Sequence, residues 1–167
     1  MSEDAYCELS FSPNVDLIST VRRFVGDFYQ RVLGDAELAS RIVVATHELL
    51  ENAVRYSSDA QSKIRLSIED VSPTEVDVVI STENRSSDAH RQKLIELIEA
   101  MHADPDAQHF YQALVRGSAR RKEGSGLGLG RIHAESEMSV DVDVDGDRVR
   151  LRAHARFRRP TAPTAPA

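Results

Sequence analysis

Apolar positions along the chain follow two different periods, and each period predicts a type of element. Strict alternation is clearest where Ile64, Leu66 and Ile68 share one side of the chain and charged residues take the other. Alternation of this kind predicts five strands, over residues 5–11, 63–70, 75–82, 138–144 and 148–157. The links VSPTE and Asp145-Gly146-Asp147 are turn sequences, so the last four strands are predicted to form two hairpins.

Apolar residues that recur every three or four positions predict helices between these strands. Such repeats predict helices over residues 15–33, about 36–57, 89–102 and 106–116, with a further helix starting at the end of a glycine-rich stretch. Gly34 suits the end of the first helix, and Asp35 suits the cap of the second. Hairpin strands with helices in consecutive blocks favour one mixed sheet covered by helices on one face.

The length of 167 residues suits one domain. We assign residues 1–157 to that domain, with an insert or lid at about 86–122, and 158–167 to a disordered Pro-rich tail. Neither a membrane span nor a secretory signal is visible, and Cys7 is the single cysteine, so we expect a cytoplasmic protein. The net charge of -6 argues against nucleic-acid binding. The alternating arginines from Arg148 to Arg152 are typical of the wet face of an edge strand.

The stretch THELLENAVRYS, residues 46–57, carries the first candidate chemistry. Glu48 and Asn52 lie four residues apart, so they share one edge of the predicted helix. A carboxylate and an amide oxygen suit Mg²⁺, and the carboxylate suits a base for a hydroxyl group. The alternative is a solvated helix edge. In either case we expect Glu51 and Arg55 to form an ordinary i, i+4 ion pair with a structural role.

The stretch EGSGLGLGRIHAE, residues 123–135, carries the second. Four glycines at alternate positions, from Gly124 to Gly130, lead into a helix start. Glycine lets backbone N–H groups approach phosphate oxygens, and a helix N-terminus adds partial positive charge. Arg121 and Lys122 add further charge just upstream. The alternative is a flexible linker or a close-packed turn, and the spacing matches neither a P-loop nor a dinucleotide fingerprint.

These two stretches resemble known motifs. HELLENAVRYS resembles the N-box of the GHKL ATPase superfamily, and GSGLGLGRI resembles its second glycine box. The resemblance covers about residues 10–157. It implies the Bergerat fold, an α+β two-layer α/β sandwich in which a mixed, mostly antiparallel sheet carries helices on one face and binds ATP and Mg²⁺. Within the superfamily the chain looks most similar to stand-alone serine/threonine kinases of bacterial partner-switching systems and, less specifically, to SiaB-type kinases.

The resemblance also implies a role for each matching residue. Glu48 matches the base that acts on a partner's Ser or Thr, and Asn52 matches the Mg²⁺ ligand. By the same matching, the residues expected to surround the phosphates are Gly124, Gly126, Leu127, Gly128 and Leu129. We expect Ser125, which lies between them, and the basic Arg121 and Lys122 to belong to the same site. The superfamily's first glycine box, DxGxG, is missing after the strand VDVVIST, and Asn84 is the nearest match to its adenine-binding Asp. Asn84 is a neutral acceptor and therefore the weaker one.

We therefore expect an ATP-dependent protein serine/threonine kinase whose substrate is a small STAS-like antagonist domain. A sigma factor or another effector is a further candidate partner, and pairing of the first strand across a homodimer stays open. Two alternatives remain. One is a non-catalytic binding module of the same fold with a degenerate adenine site. The other is a histidine-kinase catalytic domain, which needs a dimerisation helix pair with its own acceptor histidine ahead of Thr46.

Overall fold

The computed structural model describes residues 5–59, 61–118 and 126–158 of the chain. Alternating and helical patterns both appear where the sequence predicts them. The described residues form ten elements in this order: β1 (Ala5–Phe11), α1 (Val15–Leu33), α2 (Ala36–Tyr56), β2 (Ser62–Ser72), β3 (Glu75–Arg85), α3 (Asp88–Ala103), α4 (Ala107–Ser118), α5 (Leu127–Ser136), β4 (Ser139–Asp145) and β5 (Arg148–Arg158).

The strands form one sheet in the order β1-β2-β3-β5-β4, and its four strand pairings are all antiparallel. One continuous row of apolar side chains crosses the sheet from edge to edge, made by Cys7, Leu66, Ile80, Ala153 and Val140. This row lies on the face that packs against the helices, in a single core. The predicted α+β sandwich with helices on one face is confirmed.

The other face of the sheet is charged, and its cross-strand neighbours form ion pairs. Arg150 donates to Glu83 at 2.7 Å, and Arg156 donates to Asp77 at 2.7 Å. The alternating arginines therefore do face solvent, but their placement on an edge strand was wrong. β5 pairs with both β3 and β4, and the alternation arises because helices cover only one face of this interior strand.

Local signals fix the ends of the two helices that precede the first hairpin. Gly34 adopts the left-handed conformation, with φ of 68°, and ends α1. The Asp35 carboxylate accepts hydrogen bonds from the backbone N–H groups of Glu37 and Leu38, which starts α2. Helix α2 packs against α1, α5 and the sheet, so it lies at the centre of the helical layer. The predicted tail from residue 159 onward and part of the glycine-rich stretch lie outside the described residues, and Arg158, the first residue assigned to the tail, instead ends β5.

Candidate functional site

Helix α2 presents one polar edge beside its buried face. Ile42, Leu49 and Leu50 are almost fully buried and anchor the helix to the core. Glu48 and Asn52 lie on the adjoining edge, one helical turn apart. Since the buried side chains fix the rotation of the helix, they also fix the direction in which this edge faces.

Helix α5 begins at Gly126 with a backbone that favours glycine. Gly126 has φ of 68° and ψ of 6°, and a Cβ atom there would lie 2.7 Å from Cδ2 of Leu97. The N-cap residue, Gly126, has no side chain with which to cap this end of the helix. The N-terminus of a helix carries partial positive charge and aligned N–H groups, so this end of α5 is suited to an anion.

These two elements meet at a cavity of about 740 Å³. Its wall includes all six of the predicted site residues that the structure describes in α2 and at the start of α5: Glu48, Asn52, Gly126, Leu127, Gly128 and Leu129. More than seventy residues of sequence separate Asn52 from Gly126, and the fold brings the two groups together.

Glu48 contacts α5 directly through its carboxylate. A Cβ atom on residue 128 would lie 2.4 Å from Glu48 Oε2, so only glycine leaves room for the carboxylate in this position. Arg131 Nη1 donates to Glu48 Oε1 at 3.2 Å. The Glu48 side chain is 11% exposed and that of Arg131 is 40% exposed, so the carboxylate is largely buried while the guanidinium partly faces solvent.

The far end of the cavity carries a stacked aromatic pair. The rings of Tyr56 and His90 are 3.7 Å apart between centroids and 14° from parallel. Nε2 of His90 is buried and has no hydrogen-bond partner within the described ranges. Burial, with a smaller contribution from Lys93, lowers the pKa of His90 to about 4, so its imidazole is neutral at pH 7.

The family model of the histidine kinase-like ATPase domain matches residues 11–153, which span both halves of this site. This chain belongs to the histidine kinase-like ATPase domain family. The fold is also similar to that of a chain in the crystal structure of the SiaB-SiaC complex from Pseudomonas aeruginosa. The likeness has a TM-score of 0.62 at 15% sequence identity and covers 90% of this chain and 89% of that chain. Comparison with curated proteins gave no match.

Other predicted residues of this ATPase domain lie away from the cavity or outside the described ranges. Asn84 is 7% exposed at the end of β3, and its amide donates to the Arg85 carbonyl at 3.0 Å. It lines a different depression, formed where β1 and β3 end and β2 and β5 begin, so its contact with adenine stays a prediction. Arg121, Lys122, Gly124 and Ser125 fall outside the described residues.

The predicted ion pair between Glu51 and Arg55 does not form on the cavity wall. The Glu51 carboxylate pairs with His47 rather than with Arg55. It lies 3.3 Å from Nε2 of His47, which is one turn earlier on α2. Both Glu51 and Arg55 line the cavity. Within the described ranges no three His, Cys, Asp or Glu side chains converge as a metal cage. Magnesium does not need such a cage, because it binds through one or two protein oxygens together with phosphates and water.

Three residues of the site were missed from the sequence. Tyr56 continues the Glu48 and Asn52 edge by one more turn, so helical spacing alone would have found it. Arg131 lies one turn after Gly128, a weaker signal of the same kind. His90 lies in the first turn of α3, and nothing in the sequence places it beside Tyr56, because that contact depends on how α3 packs.

In the part of the chain that the structure describes, no helix combines the length and the hydropathy needed to cross a membrane.

Proposed function

We propose that this domain is an ATP-dependent protein serine/threonine kinase of a bacterial partner-switching system. The observation that carries the proposal is the meeting of the Glu48 and Asn52 edge with the N-terminus of α5 in one cavity. A carboxylate can activate a hydroxyl nucleophile, an amide oxygen can bind Mg²⁺, and a helix N-terminus can bind phosphates. Membership of the histidine kinase-like ATPase domain family supports ATP as the bound nucleotide.

The residues fit Mg²⁺ and a triphosphate. Asn52 would hold the metal through its side-chain oxygen, and the turn from Gly126 to Leu129 would receive the phosphates. When bound, Mg²⁺ neutralises charge on the phosphate oxygens. Glu48 would accept the proton of the acceptor hydroxyl while its oxygen attacks the γ-phosphorus. The bond from the γ-phosphorus to the bridging oxygen breaks, and ADP leaves.

A protein acceptor is supported by the neighbour in the SiaB-SiaC complex, which shows this fold in a two-protein assembly. We propose a small antagonist-type domain as the acceptor, STAS-like in fold. As part of the same proposal, a sigma factor or another effector is a further partner of the domain. The proposal also includes a homodimer and a location in the cytoplasm.

A direct test uses the whole chain with ATP and Mg²⁺. Calorimetry measures nucleotide binding, and transfer of radiolabelled γ-phosphate to an antagonist-type domain encoded beside the protein measures kinase activity. Mass spectrometry then locates the modified residue. We expect binding, followed by phosphoserine or phosphothreonine on the acceptor. No binding at millimolar ATP would contradict the proposal at its first step.

One observation favours a second candidate, a partner-binding module without turnover. Asn84, the nearest match to the adenine-binding position, lies outside the cavity wall. Such a module would bind the acceptor domain without modifying it. Stable complex formation with no transfer, in the same assay, would establish this candidate over the kinase.

Distance along α2 indicates where the base of the nucleotide lies. Glu48 meets the glycine turn, and Tyr56 lies eight residues further, about 12 Å along the helix axis. We therefore place the phosphates at the Glu48 end and the base at the Tyr56–His90 stack. The neutral ring of His90 lines the cavity and offers a stacking surface to the base.

His90→Ala is expected to weaken ATP binding about tenfold, because stacking on a base contributes about 1–3 kcal/mol. Calorimetry measures the change, and the loss should be equal at pH 6.5 and pH 8, where His90 stays neutral. His109→Ala is the control, since His109 is exposed on α4 and pairs with Asp104 away from the cavity. Unchanged ATP affinity in His90→Ala would rule out this placement of the base.

A further inference from the structure

The carboxylate of Glu48 is fixed at both of its oxygens by one face of α5. Oε1 accepts from Arg131 at 3.2 Å, and Oε2 lies where a side chain on residue 128 would otherwise be. Gly128 and Arg131 are three residues apart and so lie on the same face of the helix. Together they hold a side chain that is 83 positions away from Arg131 in sequence.

Arg131 is itself held in place by a second carboxylate. Its Nε donates to Glu135 Oε2 at 2.8 Å, one turn further along α5. The hydrogen bond to Glu135, followed by the charges of Glu135 and Glu48, raises the pKa of Arg131. The guanidinium thus uses separate nitrogens for the two carboxylates, a geometry that a lysine ammonium cannot reproduce.

A glutamate on a helix edge has several rotamers of similar energy, and a base acts only within hydrogen-bond reach of its proton. Misplacement of a catalytic group by about 1 Å can cost about a hundredfold in rate. Packing along α2 fixes the Cα of Glu48 but not the carboxylate. Contact with Arg131 supplies that missing constraint.

We propose that Arg131, braced by Glu135, is a positioning residue that holds the Glu48 carboxylate at the glycine turn for proton abstraction. This inference rests on the proposed kinase function. Arg131 does not line the cavity wall, so it acts through Glu48 rather than on the nucleotide. Its removal should therefore change turnover and leave ATP binding intact.

Steady-state kinetics on four chains test this role: the unmodified protein, Arg131→Gln, Glu48→Gln and the double variant. Arg131→Gln should lower kcat at least about tenfold, with the KM for ATP unchanged. In the Glu48→Gln background the same substitution should have no further effect, because no carboxylate remains to be positioned. Arg131→Lys should recover part of the loss. Equal losses in both backgrounds, as a purely structural role would give, would overturn the proposal.

Arg41→Gln provides a matched control. Arg41 also joins two carboxylates, Glu37 at 3.1 Å one turn earlier on α2 and Glu137 at 2.8 Å across the fold. Its exposure of 33% is close to the 40% of Arg131, but it lies outside the cavity. This variant should keep the kcat of the unmodified protein.

Crystal structures of the unmodified protein and of Arg131→Gln give a readout that needs no activity. The carboxylate of Glu48 should leave Gly128 or lose its order in the variant, and an unmoved carboxylate would overturn the inference. If the unmodified protein transfers no phosphate, the proposed function fails by itself. The pair of structures then still decides whether Arg131 positions Glu48.

Discussion

Asn52→Ala is expected to lose phosphoryl transfer by about a hundredfold or more while its fold stays intact. The side-chain oxygen of Asn52 is the proposed protein ligand of Mg²⁺, and loss of a metal ligand removes charge stabilisation from the transferred group. Asn52 lies on the cavity edge of α2 and not in the core, and alanine favours the helix, so unfolding should change little. Transfer to the acceptor domain and thermal unfolding measure the two effects.

Two further variants sharpen this test. Asn52→Asp retains an oxygen ligand and should keep more of the transfer activity than Asn52→Ala. Glu37→Ala lies on the same helix but loses only a surface ion pair with Arg41, and it should behave as the unmodified protein. If Asn52→Ala transferred phosphate at the rate of the unmodified protein, Asn52 would not be the metal ligand.

Gly128→Ala is expected to reduce kcat at least about tenfold by pushing the Glu48 carboxylate out of position. The new Cβ would lie 2.4 Å from Oε2 and 3.3 Å from Cδ of Glu48. The displaced group is the far end of a flexible side chain, so rotation of that side chain relieves the clash. We expect the free energy of unfolding to change by less than about 1 kcal/mol, since a helix favours alanine over glycine.

The matched control is Gly117→Ala on α4. No atom lies within 4 Å of a Cβ built at Gly117, so this variant gains the helical preference of alanine without a clash. It should keep full activity and gain slightly in stability. Because Gly128 also lines the proposed phosphate site, ATP affinity must be measured beside kcat. Unchanged kcat in Gly128→Ala would show that the observed position of the carboxylate is not required for transfer.

Both variants concern a site whose parts differ in how they depend on the fold. Glu48 and Asn52 come together through helical spacing alone, and the glycine turn comes from local backbone freedom. Each part has an ordinary explanation by itself, either a solvated helix edge or a close-packed turn. Their convergence on one cavity argues against those explanations, because neither of them predicts that Glu48 contacts Gly128.

Some features of the fold depend on interactions within a few residues, and the sequence predicted these well. The Asp35 cap, the end of α1 at Gly34 and the turn at Asp145–Asp147 were all found where the chain chemistry requires them. Strand faces were also predictable, since alternation records which side chains enter the core. These signals identified the α+β class and the two halves of the site.

Contacts between distant elements could not be predicted in this way. The prediction that β5 lies at an edge of the sheet was wrong. When helices cover only one face of a sheet, an edge strand and an interior strand show the same alternation of apolar and polar residues. The expected Glu51–Arg55 pair failed because His47 lies on the same helix edge and competes for the carboxylate. Asn84 lies at the predicted strand end, yet its place relative to the cavity depended on the packing of α3.

The sequence by itself determined where this protein bends, which faces it buries and which residues are candidates for its chemistry, because these follow from backbone preferences and from periods of two and 3.6 residues. Tertiary structure alone decided that Arg131 holds Glu48 and that His90 stacks on Tyr56. Those contacts join α2 to α5 and to α3, and their geometry is set by the packing of whole helices. No local pattern along the chain records the distance between two helices that meet only in the folded state.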